Sequence, residues 1–188
     1  YPIQSLRNGE NPHQSAVVYG FTPDAGPLGG RLLQGKPLSY NNLLDLDAAW
    51  RAAVAFDEPA VCIVKHLSPC GIAAADQLRA AYAAAFASDP VSAYGGVIAC
   101  NRPLDGATAE AISSLFVECI AAPGFEPAAL EILEKKKNCR LLDMPDLKQE
   151  PDYELPSINR GLLKQSIDRG DTAETEWPGV SQRQQKEA

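Results

Sequence analysis

An apolar run that ends abruptly at two adjacent polar side chains constrains this chain more than any other feature. The run is Val61-Cys62-Ile63-Val64-Lys65-His66-Leu67-Ser68-Pro69-Cys70-Gly71. Four apolar residues with no polar alternation predict a strand buried on both faces, which needs layers of other structure to cover it. The segment then reads as a Pro69-Cys70-Gly71 turn leading into a helix. A buried strand end fixes Lys65 and His66 at one point of a rigid sheet, where open α/β sheets usually keep their chemistry. A base beside a cation can take a proton and stabilise a developing negative charge. Equally, a Lys-His pair can do no more than hydrogen-bond nearby backbone, and spacing alone leaves both readings open. His66 is one of two histidines in the chain.

The flanking pattern predicts what covers the strand. Short strands are expected over 16–19, 97–100, 119–122 and 139–142, and helices over 43–56, 73–87, 108–117 and 127–136. Asn42 is an N-cap candidate for the first helix. Leu78, Tyr82 and Phe86, four apart, read as core packing. Lys135, Lys136 and Lys137 fall in the last turn of the predicted 127–136 helix, where cations complement the helix dipole, so the run is not read as a binding patch. Strands alternating with helices give an α/β class with a largely parallel or mixed sheet covered on both faces. One unit is expected over 1–145. A connecting segment over 146–188 follows, with one possible strand at 161–167 and a polar tail.

Composition excludes several function classes. The net charge of −7 and the lack of a basic stripe argue against a nucleic-acid surface. No apolar run approaches the roughly 20 residues that span a membrane, and a cytoplasmic location is expected. The five cysteines lack C-x-x-C spacing, and neither histidine stands at metal-ligand spacing from them. They are read as reduced, mostly buried thiols. Arg7 and His13 flank a Gly/Pro-rich segment that reads as a surface loop. The stretch 89–96 ends in Gly95-Gly96, where a ligand can approach the main chain closely, although a plain turn has the same composition. Glu118 opens an apolar strand, so its carboxylate is either paired or functional.

Several stretches, taken in order, resemble one family. They are Leu6-Arg7-Asn8-Gly9-Glu10-Asn11-Pro12-His13-Gln14, Gln34-Gly35-Lys36-Pro37-Leu38-Ser39-Tyr40-Asn41-Asn42-Leu43-Leu44-Asp45, Val64-Lys65-His66-Leu67-Ser68-Pro69-Cys70-Gly71, Asp89-Pro90-Val91-Ser92-Ala93-Tyr94-Gly95-Gly96 and Ala121-Ala122-Pro123-Gly124-Phe125. Gly161-Leu162-Leu163-Lys164-Gln165 also fits. Together they resemble the formyltransferase domain of the AICAR transformylase/IMP cyclohydrolase family, where AICAR is 5-aminoimidazole-4-carboxamide ribonucleotide. The resemblance implies a three-layer α/β/α, cytidine deaminase-like unit with a mixed sheet. It further implies transfer of a formyl group from 10-formyltetrahydrofolate to the AICAR 5-amino group in de novo IMP biosynthesis, within a homodimer, with no metal required. In the full-length family protein, IMP cyclohydrolase activity resides in a separate N-terminal domain.

By the same resemblance, His66 matches the proton acceptor and Lys65 the transition-state stabiliser. Arg7, Asn42, Gly95 and Glu118 match substrate-binding positions. Asn8 stands where the family usually has tyrosine, and Ser68 replaces the more usual asparagine before Pro69. The H-x-E and P-C-x-x-C signatures of zinc deaminases are absent from the sequence, which weighs against a zinc-dependent nucleoside deaminase. The chain is expected to be an inactive piece of the formyltransferase domain that holds half of the AICAR site and little of the folate site. The alternative is a non-catalytic purine-nucleotide binding module, which calorimetry with AICAR, with and without a folate analogue, would separate from a catalyst.

Overall fold

The computed structural model describes residues 1–147 and 153–168. The polar tail expected beyond Asp168 lies outside the described residues. Contacts divide the chain into two compact units, Tyr1–Lys148 and Gln149–Ala188.

The first unit begins with a hairpin of β1 (Pro2–Leu6) and β2 (Ala16–Tyr19). Its main body contains β3 (Arg31–Gln34), α1 (Tyr40–Val54), β4 (Ala60–Lys65), β5 (Ser68–Ala74), α2 (Leu78–Ser88) and the single turn α3 (Pro90–Ala93). These are followed by β6 (Val97–Cys100), α4 (Gly106–Ser113), β7 (Cys119–Ala122), α5 (Pro127–Leu133) and β8 (Arg140–Asp143). Six strands form one mixed sheet in the order β3-β8-β7-β6-β4-β5. The trio β6, β7 and β8 is parallel, linked by α4 and α5, while β4 and β3 run antiparallel to their neighbours in that trio.

Strand alternation explains the layers, because successive side chains point to opposite faces. Val61 and Ile63 join Ile98, Ile120 and Leu141 beneath α2, α4 and α5. Cys62 and Val64 join Val97, Ala99, Cys119, Ala121 and Leu142 beneath α1. Helix α1 presents Asn42, Leu46, Ala49, Trp50 and Ala53 as its buried stripe, the i, i+4, i+7 spacing of one helix face. The result is a three-layer α/β/α unit. Fully burying a Leu or Ile side chain contributes about 1.5–3 kcal/mol, and Leu46, Ile63, Ile98, Ile120 and Leu141 are all fully buried. At the far end of β4, the buried Asn101 side chain accepts from Ala60 N–H at 2.7 Å and donates to Phe56 and Glu58 carbonyls at 2.8 Å. This one carboxamide satisfies the backbone where α1 hands over to β4.

Several boundaries differ from those read off the sequence. Pro69-Cys70-Gly71 is not a turn but part of the edge strand β5, paired with β4 along its whole length. Proline is tolerated there because an edge strand has one side with no ladder to feed. The register shifts between Ile63 and Val64, which pair with Gly71 and Pro69 and leave Cys70 as the extra residue of a bulge. With 68–74 used as strand, the Ala-rich helix starts at Leu78 rather than residue 73. Helix α1 starts earlier than expected, capped by Ser39, with Asn42 as the reciprocating third residue of a capping box. Helix α5 closes at Leu133, so the lysine run follows the helix. Lys136 Nζ there donates to the Leu115 carbonyl at 2.8 Å.

In the second unit, β9 (Tyr153–Glu154) pairs with β12 (Gln165–Ser166), and β10 (Ser157–Ile158) with β11 (Gly161–Leu162). The single strand expected over 161–167 is therefore two short ones. Among the described residues, no helix is long and apolar enough to cross a membrane.

All five cysteines are free, and only Cys70 is not buried. Burial pushes the Cys62 thiol up to about 11 and those of Cys100 and Cys139 up to about 12. Burial raises Cys119 as well. A thiol whose folded value lies above its unfolded one holds its proton more tightly when folded. Stability from these groups is therefore intact below about pH 9 and is lost as pH rises from there towards the folded values. A thiol-reactive reagent at pH 8 is expected to modify Cys70 first and the other four only on unfolding. Rapid reaction of two or more thiols in the native chain would contradict this burial.

Candidate functional site

Strand register assembles the site. Val64 pairs with Val97, Val97 with Cys119, and Cys119 with Arg140. The carboxyl end of β4 and the amino ends of β6, β7 and β8 therefore lie side by side along one strand-end edge of the sheet. Parallel α/β sheets usually place ligands at their carboxyl ends. Here the parallel trio presents its amino ends to Lys65, because β4 runs against β6.

At that edge β4 turns back into β5 through His66 and Leu67, with Lys65 opposite Ser68. Both turn residues are left-handed, with φ of 54° and 62°, as a two-residue hairpin with the right-handed strand twist requires. Asn-Gly is the usual solution, and side chains with a bulky Cβ substituent are disfavoured in this region. The left-handed conformation costs an L-residue roughly 1–2 kcal/mol. Helix α1 supplies compensation. One Asp45 carboxylate accepts from the Leu67 N–H at 2.7 Å and from the His66 N–H at 3.3 Å. The turn thereby exposes His66 to solvent.

Lys65 is held from elsewhere. Its Nζ donates to the Tyr94 carbonyl at 2.8 Å. Tyr94 ends a short ordered loop in which Asp89 caps α3 through Ser92 N–H at 2.9 Å. Hydrogen bonds from Ser92 hold the Asp89 carboxyl below the ordinary carboxylate range. Gly95, at φ 75°, donates its N–H to the Phe116 carbonyl at 2.8 Å. Gly96 has no room for a side chain, since an added Cβ would lie 2.9 Å from the Val64 carbonyl oxygen. The Gly96 carbonyl receives the Glu118 N–H at 2.9 Å, which ties that residue to the same edge. Beside it the exposed rings of Tyr94 and Phe116 meet at a centroid distance of 5.2 Å.

Glu118 proves to be paired. Its Oε2 meets Arg140 Nη1 at 2.5 Å, and Arg140 is the more buried partner, with 16% of its side chain exposed against 36% for Glu118. A charge-assisted contact of this kind fixes the direction of the carboxylate. Asn42 lies on the buried stripe of α1, one turn before Asp45. Its Oδ1 accepts from Ser39 N–H at 3.1 Å. Its Nδ2 makes no hydrogen bond among the described residues. Arg7 and Asn8 stand apart in the β1–β2 hairpin, whose hydrogen bonds close within residues 1–20, such as Asn8 Nδ2 to the Gly9 carbonyl at 2.7 Å. No hydrogen bond or ion pair among the described residues links Arg7, Asn8 or His13 to Lys65.

The sequence model of the AICARFT/IMPCHase bienzyme matches residues 2–188. This chain belongs to that family. Among curated relatives, it is 51% identical over 183 residues to the bifunctional purine biosynthesis protein PurH of Cyanothece sp., covering 96% of the chain and 35% of that relative. The PurH proteins of Acidithiobacillus ferrooxidans and Synechocystis sp. are 47% and 49% identical, again over 96% of the chain and 35% and 36% of theirs. The chain thus spans about a third of the length of the curated relatives it matches. For this member of the bienzyme family, the structure brings Lys65, His66, Gly95 and Glu118 to one sheet edge. It adds Asp45, Arg140 and Phe116, which the sequence reading gave no role.

Proposed function

We propose that this chain contributes the acceptor side of AICAR formyltransferase, moving a formyl group from 10-formyltetrahydrofolate to the AICAR 5-amino group in purine biosynthesis. The observation that carries the reading is the pairing of Lys65 and His66 on a braced turn at the edge where Gly95 and Glu118 also lie, in a chain of this family.

The chemistry needs these residue types. The AICAR amine is a poor nucleophile because its lone pair is delocalised into the ring and the neighbouring carboxamide. As its nitrogen bonds to the formyl carbon, negative charge collects on the formyl oxygen and the nitrogen becomes acidic. Lys65 faces the oxygen as a cation, and a donor in that role is worth about 3–4 kcal/mol. His66, exposed at the tip of the turn, takes the proton from the nitrogen. Collapse of the tetrahedral intermediate breaks the bond to folate N10, which takes up the proton that His66 removed from the amine, so atoms and charge balance. Asn42 and the Gly95 carbonyl serve as polar contacts for the ring and carboxamide, and Glu118, aimed by Arg140, as an acceptor. Arg7 is assigned to the nucleotide's phosphate end, and Asn8, where the family usually has tyrosine, to a further substrate contact. The working form is a homodimer, and IMP cyclohydrolase activity belongs to the bienzyme as a whole.

The test uses a bienzyme of full family length containing this sequence. Supplied with AICAR and 10-formyltetrahydrofolate, it is expected to form tetrahydrofolate and formyl-AICAR in equal amounts. A protein that binds AICAR yet transfers no formyl group would overturn the reading and favour a binding module. Ammonia release from a nucleoside would favour a deaminase instead.

A further inference from the structure

We propose that Asp45 is a positioning residue for His66, acting through the backbone of the turn that carries it. The inference rests on the formyl-transfer reading above. His66 and Leu67 are consecutive left-handed residues, and neither is the glycine or asparagine that such a turn favours. A single carboxylate from α1 receives both of their N–H groups, at 3.3 and 2.7 Å, across 21 and 22 residues of sequence.

Helix α1 is an apt anchor for such a grip. Leu46, next to Asp45, is fully buried against the sheet, as is Ala49 one turn later. The carboxylate therefore stands on an element that cannot drift relative to β4. Strand alternation places Val64 on the α1 face, so Lys65 leaves the strand on the opposite side, towards the Tyr94 carbonyl. The pair is thus gripped from two sides, Lys65 through its side chain and His66 through its backbone. Without Asp45, the turn N–H groups would be left to water and the left-handed pair would lose its main local restraint. His66 would then sample orientations away from the reacting nitrogen, and misplacement by about 1 Å can cost roughly 10²-fold in rate.

Asp45 touches neither substrate nor reacting atoms in this account, so its loss should act on the chemical step and spare binding. In the full-length bienzyme, Asp45→Ala is expected to lower kcat for formyl transfer by about 10- to 100-fold, with the KM for AICAR changed less than about threefold. Adding Leu67→Gly, which removes the side chain disfavoured at φ 62°, should recover a substantial part of the lost kcat. A purely structural role for Asp45 would not separate kcat from KM in this way. Should Asp45→Ala fail to fold, Asp45→Asn, which keeps one acceptor oxygen, is judged by the same split with a smaller loss. A kcat within about threefold of the parent, or a loss carried wholly in KM, overturns the proposal. His66→Ala measured alongside separates the two levels. If it is slow while Asp45→Ala is not, positioning alone fails. If His66→Ala turns over normally, the formyl-transfer reading fails and takes this proposal with it.

Discussion

Gly71→Ala is expected to cost at least about 3 kcal/mol of stability, the upper end of what overpacking a well-filled interior usually costs. An added Cβ at Gly71 would lie 1.9 Å from the Ala85 carbonyl oxygen and 2.8 Å from its carbonyl carbon. The obstacle is helix backbone and not the end of a flexible side chain, so relief requires β5 and α2 to separate. That movement would open the packing of Ala81, Tyr82 and Ala85 against Val61 and Ile63. Domains are typically stable by only about 5–15 kcal/mol, so the variant should show a large drop in its urea midpoint. An unchanged midpoint would mean that the close approach of β5 to α2 is wrong.

The second large effect falls on the chemistry. In the full-length bienzyme, His66→Ala is expected to lower turnover by at least about 10²-fold, the lower bound for loss of a positioned general base. Lys65→Ala should cost about 10²–10³-fold, the range for loss of one oxyanion donor. Lys65→Arg keeps the charge, but its planar fork cannot reproduce a point ammonium bonded to the Tyr94 carbonyl at 2.8 Å, so an intermediate loss is expected. AICAR binding should persist in all three, because the substrate contacts are assigned to other residues. Steady-state kinetics beside calorimetric AICAR binding measures both halves of this statement.

The parts of the fold that were legible in the sequence are those whose side chains are buried on both faces. Val97–Cys100 and Cys119–Ala122 are wholly apolar and buried throughout, and the sequence reading placed both at those bounds. Edge elements were obscured. Strand β5 contains Pro69 and Gly71, residues that normally punctuate a chain, and only its edge position lets them lie in a strand. Strand β3 is four residues of weak alternation that exist because β8 is there to pair with them. Alanine-rich sequence gave no signal for where α2 begins, since residues 73 and 74 suit either state until β4 claims them.

The site divides along the same line. Lys65, His66 and Glu118 could be singled out because each is a polar residue at the end of an apolar run, and Gly95 because it belongs to a pair of adjacent glycines. Their supports could not. Asp45 meets the turn across 21 residues of sequence, and Arg140 meets Glu118 across 22. Both contacts depend on how α1 and β8 are registered against their neighbours, which no local pattern encodes. Glu118 shows the consequence: sequence posed paired against functional, while in the fold the pairing with Arg140 is what gives the carboxylate a fixed direction.

Chemical rescue of His66→Gly in the full-length bienzyme tests the role of His66 most directly. Glycine accepts a φ of 54° without strain, so the substitution removes the imidazole and keeps the turn. Formyl transfer by the variant is expected to be at least about 10²-fold slower than the parent and to be restored in a saturable way by imidazole added to the buffer. A variant that turns over at the parental rate without imidazole would show that His66 is not the base.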